Sequence, residues 1–309
     1  MTRTREDGKE EVFSACIKHD DTRYLGGNKS SSIVATKLQG RPRTDITYDK
    51  ANEFCANRGD WITMIDYLEY CALQALCYIE YANFDNQATL NTNLTSDGFK
   101  QGGLGAGVTN LNWNRWTAFN GNNPIVQTYW TAEHNIGNGS TNGDHYELGN
   151  YNADGSNLNT YPAVYRGILN FFGDIWTFIR DVVIINRNTD YNSVYILKKG
   201  VNHADITIDN IQDKCYFIGD QANTNNFITE FDFRFGPYFV PNKVGTNKKA
   251  DYNWKRGNDG QDTDKAVRVL LLGGRAANGS LAGSGGFDST WVRSYSAAHV
   301  GFFTTVKLD

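Results

Sequence analysis

The chain has 309 residues, of which 40% are apolar and 13% aromatic, and its formal net charge is −4. This composition excludes a disordered chain and allows a sizeable core, while charge spread without long runs excludes a nucleic-acid footprint. No apolar run reaches the ~18 residues that read as a membrane-spanning helix, and MTRTREDGKEEVF at the start lacks the apolar centre of a secretory signal.

Residues 1–45 read as an N-terminal arm of short strands, broken by turns at Leu25-Gly26-Gly27-Asn28 and Ser30–Ser32. A domain over 46–309 follows, and the lack of a clear linker favours one domain with long insertions. The first helix is predicted over about 48–58. Thr47 caps it, Asp49 sits in its first turn, Ala51, Phe54 and Cys55 share a face, and Gly59 stands just beyond it. The second is predicted to start near Thr63, a cap with Asp66 three residues on. Its apolar stripe is Leu68, Ala72, Ala75, Leu76 and Ile79, and it is apolar nearly all round, which predicts a central buried helix.

An insertion over 83–163 comes next, rich in Asn, Gly and Thr and holding Trp113, Trp116 and Trp130. Loops of this length in compact domains are usually functional. A strongly apolar run returns over 165–185, strands are predicted at 194–198, 206–208 and 227–235, and a Gly/Asn/Lys-rich loop spans 241–264. The five cysteines, Cys16, Cys55, Cys71, Cys77 and Cys215, form no CxxC pair, and those on the helices sit among apolar residues, so free buried thiols are expected.

The sites that chemistry would need are weak. Gly103-Leu104-Gly105-Ala106-Gly107 lacks the strand before it and the helix after it that a phosphate loop requires. Arg58-Gly59-Asp60 is accounted for as the end of a helix. The histidines at 19, 134, 145, 203 and 299 are scattered, with no zinc or iron ligand spacing. Asp144-His145 with Glu147 offers part of a cation site, but solvated loop polarity is the commoner explanation. The Asp/Asn/Gly cluster at 256–264 is similar to calcium loops but lacks EF-hand spacing and its closing Glu, so no cofactor is expected, with calcium as an alternative. There is no Gly-x-Ser-x-Gly elbow for a nucleophile.

The tail over about 268–303 is different. A strand signal at Val269–Leu272 leads into Gly273-Gly274, and a second strand is predicted at Val300–Phe303. The loop between them combines Trp291, Tyr295 and His299 with Ser, Asn, Thr and Gly, a composition like that of antibody paratopes. It holds almost nothing that could build a core, which points to binding rather than chemistry.

Three segments in this order resemble the formylglycine-generating-enzyme-type branch of the C-type lectin fold. They are Ile46–Cys55 with Arg58-Gly59 and Tyr67-Leu68-Glu69-Tyr70; Asn170–Phe178; and Arg268-Val269-Leu270 with Gly273-Gly274 and Val300-Gly301-Phe302. The resemblance covers roughly 46–303 and implies an α+β, C-type lectin-like fold: two helices packed on small twisted antiparallel sheets with long loop insertions. Enzymes of this fold depend on a cysteine pair in the final segment or on an added iron-binding histidine set. Gly273–Phe303 has no cysteine and the histidine set is missing, so the resemblance implies no catalysis.

Within that fold, YRGILNFFGDIWTFI (165–179) and GGRAANGS (273–280) are similar to the scaffold of variable proteins of diversity-generating retroelements and related prophage tail proteins. Those systems scatter Asn codons over a residue set that excludes Lys, Glu, Gln, Met and Trp, and between Ala276 and His299 only Trp291 falls outside it. The resemblance implies that Ala276, Ala277, Leu281, Ser284, Asp288, Thr290, Val292, Tyr295, Ala297, Ala298 and His299 line one exposed face. Trp291 and Tyr295 would be its anchors, and Tyr252 and Trp254 would extend it. It further implies a virus-encoded, phage-like protein on a virion tail or cell surface, with a cell-surface protein receptor as partner. A glycan fits less well, because the Glu-Pro-Asn or Gln-Pro-Asp calcium signature is missing. A homo-oligomer is left open. The competing expectations are a metal-dependent enzyme of the same fold and an invariant structural tail protein.

Overall fold

In the computed structural model the described residues are 2–4, 10–12, 46–57, 59, 61–86, 146–148, 158–160, 165, 168, 171–173, 175–186, 191–246, 251–255, 266–275, 278, 281–297 and 299–306. Most of the 1–45 arm, most of the 83–163 insertion, the glycine run at 103–107 and the 256–264 cluster therefore lie outside them.

The architecture is α+β. Strands β1 (Thr2–Thr4) and β2 (Glu10–Val12) form one antiparallel pair. Helix α1 (Tyr48–Ala56) follows, capped by the Thr47 side chain on Lys50 N. Strand β3 (Ile62–Met64) leads into helix α2 (Tyr67–Tyr81). Strands β4 (Tyr146–Leu148) and β5 (Leu158–Thr160) pair with each other. The remainder is mostly strand: β6 (Trp176–Asn186), β7 (Asn192–Leu197), β8 (Cys215–Gln221), β9 (Asn226–Asp232), β10 (Val240–Gly245), β11 (Tyr252–Trp254), β12 (Val267–Leu272), β13 (Phe287–Asp288), β14 (Val300–Phe302) and β15 (Thr304–Val306).

Among the described residues, one sheet takes nine of these strands, in the order β10-β9-β11-β13-β12-β6-β7-β8, with β14 parallel to β6. The sheet curls, so that β8 and β10 at its two ends meet and Ala222 N donates to Pro241 O at 2.7 Å. Its centre is β6 against β12, two apolar runs buried on both faces. Side chains alternate between the faces. Ile179, Leu270 and Leu272 pack with α2, whereas Phe178, Val269 and Leu271 pack with α1. Beyond α1 on that second face, Val183 and Ile185 pack with Ile206 and Ile211.

Three expectations need correction. Thr63 lies in β3, and the cap of α2 is Asp66, in a reciprocal capping box with Glu69. The buried face of α2 is Tyr67, Tyr70, Cys71, Gln74, Cys77 and Tyr78, while Leu68, Leu76 and Ile79 are 48%, 51% and 78% exposed. Ala72 is exposed as well, and Ala75 is partly so. The tyrosines win the inner face because each delivers a large ring plus a hydroxyl that finds an acceptor: Tyr67 on Phe239 O at 2.8 Å, Tyr78 on Asp251 Oδ2 at 2.6 Å. The third correction is at 206–208, where a short helix over His203–Asp205 ends at Ile206 in place of a strand. Cys55, Cys71, Cys77 and Cys215 are buried thiols outside any disulfide, and burial pushes Cys71 and Cys77 up to about 12.

Candidate functional site

The tail leaves the sheet at Gly273-Gly274 and comes straight back to it. Gly274 has φ +78, and a Cβ there would stand 2.7 Å from Ala282 Cβ, so the two chain segments touch backbone to backbone. Phe287 and Asp288 form β13, which fills the gap between β11 and β12.

Two buried polar networks hold this return path. In the first, the Asp251 carboxylate accepts from Tyr78 Oη at 2.6 Å and from Gly285 N at 2.5 Å, and Gln74 Nε2 donates to Tyr78 Oη at 2.9 Å. Burial pushes the Asp251 carboxyl up to about 7, against the pull of those two donors. Beside it, Asn86 Oδ1 accepts from Ser284 N at 2.8 Å and from the Ser284 hydroxyl. In the second network, Asn192 Nδ2 donates to Gln221 Oε1 at 3.0 Å and to Ser289 Oγ at 2.9 Å, and Ser289 Oγ donates to Gln221 Oε1 at 2.6 Å. Gln221 Nε2 then reaches Asn253 Oδ1 at 2.7 Å and Trp254 O at 3.0 Å. All four side chains are fully buried.

Past Thr290 the chain comes to the surface. Asp288 Oδ1 accepts from Thr290 N at 2.8 Å and its Oδ2 from Trp291 Nε1 at 3.1 Å. The Trp291 and Tyr295 rings are stacked, with centroids 3.7 Å apart and planes 8° from parallel. Tyr295 Oη lies 3.1 Å from His299 Nε2, and Arg275 Nη1 lies 3.1 Å from the same ring. Burial, helped by the Arg275 charge, lowers His299 to about 3, so its ring is neutral. Arg268 Nη1 donates to Thr290 O, and Arg293 clasps Asp49 of α1 through two nitrogens at 2.7–3.0 Å. Trp254 meets Trp176 edge-on at 5.0 Å and Tyr252 at 4.6 Å.

The structure therefore splits the predicted surface. Thr290, Trp291, Val292 and Tyr295 are partly exposed and share one turn, Leu281 is partly exposed further back, and Tyr252 and Trp254 are partly exposed on β11. Ser284, Asp288, Ala297 and His299 are buried, at 0%, 6%, 7% and 4% exposure, which corrects their placement on an exposed face. Ala276, Ala277 and Ala298 lie outside the described residues. The view that the loop cannot build a core is also corrected: Ala282 and Phe287 are buried in it, and its glycines pack tightly because they have no side chain. Arg268, Arg275 and Arg293 position the turn, a role the motifs did not assign to them. For Arg268 alone the sequence carries a signal, since an arginine inside RVLLL has to find a partner.

Asp288 and His299 are the groups in the turn suited to proton transfer, and both are buried and engaged within the tail. Among the described residues no cluster of three His, Cys, Asp or Glu side chains could hold a metal ion, and no helix is long and apolar enough to cross a membrane. The arrangement suits contact: large rings, small neighbours and a fixed backbone. Compared by sequence, the chain matches no protein-family model and no curated protein.

Proposed function

We propose that the chain is a non-catalytic ligand-binding protein of the C-type lectin-like, formylglycine-generating-enzyme-type fold. Its tail turn engages a cell-surface protein receptor, as in the retroelement-diversified variable proteins and phage-like tail proteins that its motifs resemble. The observation that carries this reading is the Trp291–Tyr295 stack, partly exposed and clamped at Asp288, His299 and Arg293. Rigid aromatic anchors among small residues concentrate binding energy and lose little entropy on contact.

On this reading the positions free to vary, among the described residues of the predicted set, are those whose side chains reach solvent: Leu281, Thr290, Val292 and Tyr295. Ser284, Asp288, Ala297 and His299 are scaffold. Sequencing the tail from independent isolates tests it, together with a search for a neighbouring reverse-transcriptase gene and a near-copy of the tail's coding sequence that differs at adenines. Substitutions concentrated at 281, 290, 292 and 295, with Gly283–Ser289 constant, are expected. A tail identical across isolates would favour the invariant structural protein instead.

A further inference from the structure

A cleft of about 1140 Å³ opens on the α1 face of the sheet, between α1 and the 197–204 segment. Its origin is visible in β6, where Arg180-Asp181 interrupts an otherwise apolar strand. At the same point the β12 ladder skips, pairing Arg268 with Ile184 and then Leu270 with Ile179. Tyr48 forms the inner wall: it is buried, its hydroxyl donates to Arg180 O, and its ring lies 5.0 Å from that of His203. Ile62, Leu197 and Val201 supply apolar lining.

The polar lining is unbalanced. Arg180, Lys198, Lys199 and Arg293 face Asp49 and Asp181. Arg293 is held by Asp49, Arg180 reaches Asp66 at 3.2 Å, and Lys198 Nζ donates to Asp213 O at 2.6 Å. Lys199 stands exposed at the rim with no ion pair or hydrogen bond among the described residues. Deeper in, Arg180 Nε and both ring nitrogens of His203 are buried without a hydrogen-bond partner among the described residues. Backbone groups of Arg268 and Val182 approach the His203 ring, but outside hydrogen-bonding geometry. Orphaned polar atoms of this kind are costly and call for a partner, and convergent polar groups in a partly apolar cleft mark a ligand site.

We propose that this cleft binds a small organic anion, a carboxylate on an apolar body. The carboxylate sits between Lys199 and Arg180, and the body lies against Tyr48 and Val201. The site is separate from the tail turn, although Arg293 lines one and braces the other.

Calorimetric titration of the full chain with hexanoate, phenylacetate and inorganic phosphate, at ionic strength fixed with sodium chloride, tests the assignment. Amide exchange is followed in parallel. Saturable binding of the carboxylates is expected, with slowed exchange over 48–56 and 197–204. Lys199→Glu, a change at the exposed rim, should weaken that binding roughly tenfold and leave the melting temperature unchanged. The proposal is overturned if neither carboxylate binds, if Lys199→Glu has no effect on binding, or if phosphate binds as tightly as the carboxylates.

Discussion

The residues that decide the tail's stability are not the ones that catch the eye in its sequence. Trp291 and Tyr295 are large but partly exposed, and their stack packs at the edge of the core on the α1 face of the sheet. Ser289 is small and fully buried, and it connects Asn192 with Gln221. Replacing it with valine leaves one Asn192 N–H without its acceptor and takes one of two donors from Gln221 Oε1, where water has no access, at about 1–3 kcal/mol for an unmet group. We therefore expect Ser289→Val to cost about 3 kcal/mol and Trp291→Ala with Tyr295→Ala together about 1–2 kcal/mol. Urea unfolding of the two variants checks the order; the reverse order would make the packing of the stack on the α1-face core the larger contribution. Gly285→Ala belongs with Ser289, because a Cβ there would overlap the Asp251 carboxylate and the Tyr78 hydroxyl. It should cost more than about 2 kcal/mol in the same assay.

Among the elements, α1 was legible and α2 was legible only in part. Thr47, Ala51 and Cys55 announce the start and inner face of α1, and each does as its chemistry suggests. For α2 the aliphatic stripe pointed to the wrong face. Counting Leu68, Leu76 and Ile79 as core ignores that tyrosine buries more area, and that Phe239 O, Phe171 O and Asp251 offer acceptors only once strands distant in sequence have assembled. The return path of the tail was illegible for a related reason. Its core is made of backbone contact and polar networks whose members stand up to 198 residues apart, as Asn86 and Ser284 do, and hydrophobic periodicity carries no trace of such pairing. The corrected face of α2 is testable. Ile79→Gln should change stability by less than about 0.5 kcal/mol, whereas Tyr70→Ala should cost about 3–5 kcal/mol. Asp66→Ala, which removes the capping box and the partner of Arg180, should fall between them at about 1–2 kcal/mol. Chemical denaturation with a common m-value would rank the three.

At the scale of the whole molecule, curling the sheet until β8 meets β10 encloses polar side chains along with apolar ones, and this sets the response to pH. Burial lowers His203 to about 4 and His299 to about 3. The unfolded chain takes up those protons first, near pH 6.5, so the stability these histidines lend at neutral pH drains away as pH falls from 6.5 towards 3. Burial raises Asp251 to about 7 and Asp181 to about 6. Here the sign reverses: the unfolded carboxyls ionise near pH 4, and the folded state loses stability as pH rises from there to 6 or 7. The two pairs oppose each other over the same interval, so the native protein should show a shallow profile between pH 4 and 6. Asp251→Asn removes one of the opposing groups and keeps an oxygen for Tyr78 and Gly285. Relative to the native chain, the variant should gain about 2 kcal/mol between pH 5 and pH 8, whatever fixed cost its amide brings at both. Unfolding by urea at those two pH values isolates that difference. A difference of zero would mean that Asp251 ionises in the folded protein where an exposed carboxyl does, and that the clamp on Gly285 is wetter than its burial implies.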